Sequence, residues 1–376
     1  MNNNFEKKFL SSFDKNHASD IFFKKPEKYR EIESFSKNSE KLISIGSNYS
    51  YSPLGFDESS LILDIRKFDR ILDFNESEKE ITVEAGLKIY DLLKFTLQYD
   101  LWLPQIPGYP FVTLGGIVAT NSHGKSCGTH GTIRNSIKKI ILFHKTHGWL
   151  NLSEDENREI FDLTIGGLGL TGTIVSITFK LSEIESNSFV TECQEVKSAK
   201  ECLELLNKNK KNNTFIYSWN RAENFKNFGS GFVYKNDMNT NLNSKFKFKN
   251  LNEKKINNFT PFSLWNKVSL KCANSIYFFL QKKRKRKINE NFIEVIFPFV
   301  GKESYFKLFG SQGFIESQIL ISQEKALDFI EEIRKKYEEN KPLITLFSLK
   351  NMSGSQKFLR FEDNKVCITF DFVNNR

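Results

Sequence analysis

Apolar residues along this chain follow two spacings, and each change of spacing predicts a change of element. Residues 41–45 (KLISI), 61–65 (LILDI) and 81–85 (ITVEA) read as short strands, the last two interrupted by polar Asp64, Thr82 and Glu84. An earlier helix is opened by Pro26 and carries Ile32 and Phe35 on one face. Helical spacing returns at 88–98, where Ile89, Leu92, Leu93 and Leu97 line up. Residues 137–143 and 174–181 are strand-like, with a turn at His147-Gly148 and a polar stretch of helical character at 154–162. In the second half, 199–206 and 324–337 carry helical faces, the latter through Ala326, Ile330, Ile333 and Tyr337. Residues 214–219, 292–299, 314–321, 344–349 and 366–372 are read as strands, and the Asn/Lys-rich stretch 236–258 as a loop.

Glycine divides the chain. It gathers at 46–53 (GSNYSYSP), 107–125 (PGYPFVTLGGIVATNSHGK) and 166–172 (GGLGLTG), then thins out from about Ser186. That shift predicts two domains, 1–185 and 186–376, as the length of 376 residues suggests. The order of elements predicts an α+β fold, with a largely antiparallel sheet in the second domain. A strand running into Gly46 and hydroxyl residues makes a phosphate-binding turn, although an ordinary loop fits the segment as well. Gly115-Gly116 permits close backbone approach, and successive free N–H groups can cradle anionic oxygens. The glycines at 166–172 look superficially like a dinucleotide fingerprint, but a strand follows where a Rossmann site needs a helix.

Hydrophobic content of 39% and 37 Phe supply ample core. The formal charge of +10 favours anionic partners without choosing among phosphorylated cofactors, anionic lipid and nucleic acid. Five cysteines (127, 193, 202, 272 and 367) hold no C-x-x-C pair and no disulfide framework, which fits a reducing, cytoplasmic setting. The first residues lack the apolar region of a secretory signal, and no apolar run reaches the roughly 20 residues of a membrane helix, so at most peripheral membrane association is expected. His130, His144 and His147 lack metal-ligand spacing, and no metal is expected. The run of six cations at 282–287 follows apolar 276–280 and has no nucleic-acid-binding module around it. It reads as a solvated loop or as a patch resting on anionic lipid.

The three glycine segments, in this order, resemble the vanillyl-alcohol-oxidase (PCMH) type of FAD-binding domain, a domain of two subdomains. Within it they resemble the decaprenylphosphoryl-beta-D-ribose oxidase family, and the likeness extends through FGSQGFIESQILIS, LFSLKNMSGSQ and CITFDF. The resemblance implies FAD as cofactor and an α+β substrate domain after the PCMH-type domain. It puts Gly46, Ser47, Asn48, Tyr49 and Ser50 in the pyrophosphate loop. Pro107, Gly108, Thr113, Gly115, Gly116, Asn121, His123 and Gly124 would lie along the phosphates and ring. Gly166, Gly167, Gly169, Thr171, Gly172 and Ile174 would form the wall that meets the cofactor through its backbone.

The implied reaction is oxidation of a secondary hydroxyl on a sugar or polyprenyl-phosphate sugar, the keto product passing to a reductase partner. His123 is the best-placed titratable group for proton acceptance, or else orders its loop. Lys350 matches a catalytic and substrate-pocket position, or is a strand-end cation; Lys125, Glu316 and Gln318 match further pocket positions. Three departures stand out. Tyr49 takes the place of the His that bonds covalently to flavin in sugar-lactone and alditol oxidases, so FAD is expected to be non-covalent. Glu316 stands where the nearest relatives have glutamine. The family's chain continues past Asp371-Phe372 to a catalytic lysine, which a sequence ending at Arg376 is expected to lack. An aldonolactone-type oxidase and an inactive flavin-binding subunit are the competing expectations.

Overall fold

The computed structural model describes residues 5–37, 41–51, 56, 58, 60–209, 215–239, 250–253, 260–284 and 286–374. They form two compact units. The first comprises Met1–Gly124, Thr132–Ile184 and Gln356–Phe361, the second Lys125–Gly131, Glu185–Ser355 and Glu362–Arg376.

Unit 1 holds two main sheets. In the four-stranded sheet, Leu61–Asp64 lies between Ala18–Lys24 and Leu42–Ile45, parallel to both, and Glu6–Ser11 pairs antiparallel at the edge. All of Leu61–Asp64 is buried, as expected for a central parallel strand covered on both faces. The five-stranded sheet is antiparallel, ordered Ile71–Asn75, Glu80–Glu84, Thr173–Lys180, Ile137–His144 and Gly148–Ser153. The strand expected after the third glycine segment is therefore the centre of this sheet. Buried Glu84 is held by the Arg70 guanidinium (2.8 Å), the Arg70 backbone N–H (2.8 Å) and the Tyr29 hydroxyl. The imidazole Nδ1 of His144 accepts the backbone N–H groups of Thr146 and His147, so these two histidines shape a hairpin turn.

Unit 2 is α+β with antiparallel sheets, as the alternation of its elements predicts. Its four-stranded sheet runs Phe215–Asn220, Gly231–Met238, Ser188–Val196, Lys287–Asn291. Its three-stranded sheet runs Phe314–Ile321, Val366–Val373, Ile344–Asn351. Helices Ala199–Lys208 and Gln323–Asn340 seal one shared core, with Leu206, Ile330, Phe347, Leu349, Ile368 and Phe370 at its centre. Ser198 caps the first of these helices by accepting the Glu201 N–H.

Three expectations are corrected. Residues 292–299 do not form a strand: Asn291 accepts the Glu294 N–H, and Phe292, Val295 and Ile296 share a buried face of the short helix Phe292–Ile296. An N-cap and i, i+3, i+4 burial outweigh the β-propensity of Phe, Ile and Val. Of the loop expected at 236–258, residues 236–238 belong to strand Gly231–Met238, and 240–249 and 254–258 lie outside the described residues. Gly115-Gly116 is not loop but part of helix Leu114–Ala119. Ser52, Pro53 and Lys285 also lie outside the described residues. Among the described residues, no helix is long and apolar enough to cross a membrane, and no group of three His, Cys, Asp or Glu could hold a metal ion.

Candidate functional site

The three glycine segments meet in unit 1. Strand Leu42–Ile45 ends at Gly46, where an added Cβ would lie 1.9 Å from Thr113 Oγ1, so the first loop lies directly against the second segment. Asn48 takes φ +58° and its amide donates to Ser11 O (3.0 Å). Tyr49 packs edge-on to Phe13 and to Tyr109, two residues beyond Pro107 and next to Gly108. The third segment closes on the second through Gly166 N–H to Val118 O (3.0 Å) and Leu168 N–H to Ala119 O (2.8 Å). Ser44 and Thr173 join the first to the third by a 2.7 Å hydroxyl contact. Ser50 follows as irregular, half-buried backbone.

The glycines serve different ends. Gly115, Gly124, Gly167 and Gly172 are fixed by the chain itself: their Cβ positions fall within 3 Å of Ala85 Cβ, Ile106 O, Leu163 O and Phe143 O. Gly116 and Gly169 are different. Among the described residues, Gly116 meets only Thr113 Oγ1 at 3.1 Å, and Gly169, at φ +80°, meets nothing within 4 Å. Ser47 Oγ, in the first segment, is buried with no hydrogen-bond partner among the described residues, an arrangement that costs stability unless a ligand oxygen completes it. Thr171 is engaged locally, its hydroxyl 2.9 Å from that of Thr164, and Ile174 is buried in the strand Thr173–Lys180.

Asn121 is buried at φ +45° and lies against Gly166, whose Cβ position is 3.1 Å from Asn121 Cβ. The His123 ring stacks on Phe361, centroids 5.8 Å apart. Phe361 belongs to the returning segment Gln356–Phe361, held in unit 1 by buried Asp162. Asp162 pairs with Lys357, with Arg360 (3.5 Å) and with Arg134 (3.7 Å). Burial pushes its carboxyl up, but the hydrogen bond and charge of Lys357, then Arg360 and Arg134, hold it below the usual carboxylate range. Nothing in the sequence pattern marks Asp162, Arg360 or Phe361, because residues some two hundred positions apart make no local signal.

In unit 2 the three-stranded sheet turns its other face to a polar row. Glu316 lies directly opposite Asp371, and Lys350 opposite Cys367. Gln318 donates to Glu316 Oε1 (2.6 Å), and Asp371 Oδ2 accepts the Tyr305 hydroxyl (2.9 Å). Asp371 Oδ1 is buried and accepts from no permanent donor among the described residues, and its carboxyl faces that of Glu316. Burial first, then the Glu316 charge, raises Asp371 well above the usual carboxyl range, so we place the pair's proton on Asp371. Burial also raises Glu316, against the hydrogen bond from Gln318 and the Lys350 charge.

Lys125 opens the segment Lys125–Gly131, which packs within unit 2. Its ammonium donates to Val295 O (2.7 Å) and sits 4.4 Å from the Tyr217 ring centroid. Desolvation pulls it down to about 7, with Glu290 opposing and Lys302 and Lys350 assisting. Cys127 is buried, its thiol on Asn351 O (3.3 Å) and pushed up to about 11 by burial; it packs rather than reacts. Lys125, Glu316, Gln318 and Lys350 are thus gathered in unit 2, while His123 and the glycine segments lie in unit 1.

Comparison with known proteins bears on both units unequally. Residues 24–146 match the family described as FAD binding domain. The chain is 28% identical over 152 residues to decaprenylphosphoryl-beta-D-ribose oxidase of Mycolicibacterium smegmatis, covering 40% of this chain and 33% of that protein. It is 25% identical over 182 residues to the mitochondrial L-galactono-1,4-lactone dehydrogenase of Arabidopsis thaliana, covering 46% and 30%. Against L-gulonolactone oxidase of Bos taurus the identity is 26% over 155 residues, covering 41% and 35%. The chain spans about a third of the length of the curated relatives it matches. It carries an FAD binding domain, and its residues fit that group: Ser47 Oγ has no partner among the described residues, and Gly169 leaves backbone open in the third segment.

Proposed function

We propose that this protein is an FAD-dependent oxidoreductase that oxidises a secondary hydroxyl of a sugar or lipid-linked sugar. The observation that carries the reading is the meeting of the three glycine segments, with an unsatisfied Ser47 Oγ in the first of them. Bound FAD would supply the acceptor for the two electrons that leave the donor carbon. The first loop, with Ser47 and Asn48, would hold the diphosphate, and Gly116, Asn121, Gly167 and Gly169 would line the ring system. We assign acceptance of the hydroxyl proton to His123, whose ring is oriented by Phe361. Lys350 and Gln318 would bind sugar or phosphate oxygens, with Glu316 setting the orientation of Gln318 and Lys125 adding a cation that can lose its charge near neutral pH. The keto product suits a separate reductase as partner, and five free thiols suit a reducing compartment.

Tyr49 supports dissociable FAD, because its ring is packed between Phe13 and Tyr109 and offers no imidazole nitrogen for a flavin bond. Acid precipitation should leave a colourless pellet and yellow supernatant; a yellow pellet would refute non-covalent binding. Activity is tested by anaerobic bleaching of the bound flavin with a panel of sugars and polyprenyl-phosphate sugars. Bleaching by a sugar alcohol supports the reading, and none across the panel overturns it. Aldonolactones belong in the same panel, since two of the relatives are named for lactone oxidation.

A further inference from the structure

Helix Lys267–Lys283 presents apolar residues on both of its faces. Inward, Leu270 and Asn274 are buried, the Tyr277 hydroxyl meets that of Tyr234 at 2.7 Å, and Phe278 packs on Phe232. Outward, Val268, Ile276, Phe279 and Leu280 are 72%, 61%, 55% and 57% exposed. At 100° per residue these four fall within about a third of the helix circumference. Phe262 and Leu264, just before the helix, are also exposed. A helix that only covers a sheet keeps its outer face polar, so this stripe calls for a partner.

The charge around it identifies the chemistry of that partner. From residue 254 to 289 the chain holds no Asp or Glu. Neighbouring strands compensate part of the positive charge: Lys282 meets Glu195, Arg284 meets Glu290, and Arg286 and Lys287 share Glu192. Among the described residues, no carboxylate comes within ion-pair distance of Lys267, Lys271 or Lys283, and Lys283 instead sits 4.2 Å from the Phe279 ring centroid. A nucleic acid would satisfy the cations and leave the stripe in water. A second copy of the chain would bury the stripe but set like charges against each other. An anionic lipid surface satisfies both at once, the stripe entering the headgroup–acyl boundary and the lysines remaining at the phosphates.

We propose that the outward face of helix Lys267–Lys283 docks on anionic membrane lipid. The proposal stands apart from the oxidoreductase reading, because its test needs no substrate. The full chain is sedimented with phosphatidylcholine vesicles, with and without roughly 30% phosphatidylserine, at about 0.1 M and 0.5 M salt. Binding is expected only with the anionic lipid, weakening at the higher salt. Ile276→Ser with Phe279→Ser should lower the bound fraction at least tenfold, as should Lys267→Glu with Lys271→Glu. Phe9→Ser, an equally exposed phenylalanine in unit 1, should leave it unchanged. Unchanged melting temperatures would show that the variants fold. The proposal is overturned if wild type ignores the anionic vesicles, if the stripe variant binds like wild type, or if sedimentation shows a dimer that the stripe variant dissolves.

Discussion

Replacing Asp371 by Asn tests the shared proton of the carboxyl pair directly. In the folded chain Asp371 is buried between the Tyr305 hydroxyl and Glu316, and its pKa lies well above the value of about 3.9 expected when unfolded. An acid whose folded pKa is raised binds more protons folded than unfolded. Stability therefore falls as pH rises from the unfolded value towards the folded one, by about 1.4 kcal/mol per pH unit for one proton. The amide introduced by Asp371→Asn would keep the shape, accept from Tyr305 and donate permanently to Glu316, so the variant lacks that decline. Over the window in which Asp371 keeps its proton in the fold but would lose it when unfolded, the variant should gain on wild type at that same rate per pH unit. Each kcal/mol corresponds to a relative rise in Tm of roughly 2–4 °C for a unit of this size. The assay is thermal unfolding followed by circular dichroism, both chains in matched salt at half-unit steps of pH. Glu316→Gln should flatten the wild-type slope in part, since the second cause of the shift is the Glu316 charge. Parallel curves for wild type and Asp371→Asn from pH 5 to 8 would refute the reasoning.

Gly116→Ala separates cofactor approach from folding: among the described residues its Cβ meets only Thr113 Oγ1, at a tight 3.1 Å, and that crowding offsets up to about 1 kcal/mol of helix propensity, so the apo-protein should melt within a few degrees of wild type. FAD affinity by fluorescence titration should nonetheless fall at least tenfold, and unaltered affinity would remove Gly116 from the cofactor site. Asp162→Asn removes the buried carboxylate that Lys357, Arg360 and Arg134 share and should cost about 3 kcal/mol, visible as a lower Tm and faster proteolysis within 356–361. Lys125→Met tests the opposite titration. A lysine lowered to about 7 binds fewer protons folded than unfolded, so wild type should gain on the variant as pH rises from 7 to 9. A constant difference in Tm over that range would argue that the ammonium is well solvated.

The glycine segments were legible because close backbone approach leaves a residue type that nothing else can replace: Gly167 and Gly172 have no room for a Cβ. The strands flanking them were legible through short, mostly apolar runs such as LILD and IVSITF. Strand Ser188–Val196 was not, because its burial is too irregular to print an alternating pattern on SFVTECQEV. Helix Lys267–Lys283 escaped for the reverse reason, since apolar residues on both faces erase the helical period. In the candidate site, Asp162, Arg360 and Phe361 carried no signal because their association is purely long-range. The Glu316–Asp371 pair depended on strand register, which spacing in one strand cannot supply.

The exchange of short segments between the two units has a consequence for the order of synthesis. A ribosome releases Asp162 nearly two hundred residues before Lys357 and Arg360, and until then only Arg134 and the side chains near it can offset its charge. Lys125–Gly131 likewise emerges long before the strand Ile344–Asn351 whose end receives the Cys127 thiol. On a nascent chain, neither unit has all of these segments until residues 344–361 have appeared. Fragments cut at the linear midpoint would each lack a strap that the other half carries, whereas the intact chain should acquire both structures in one late, concerted step.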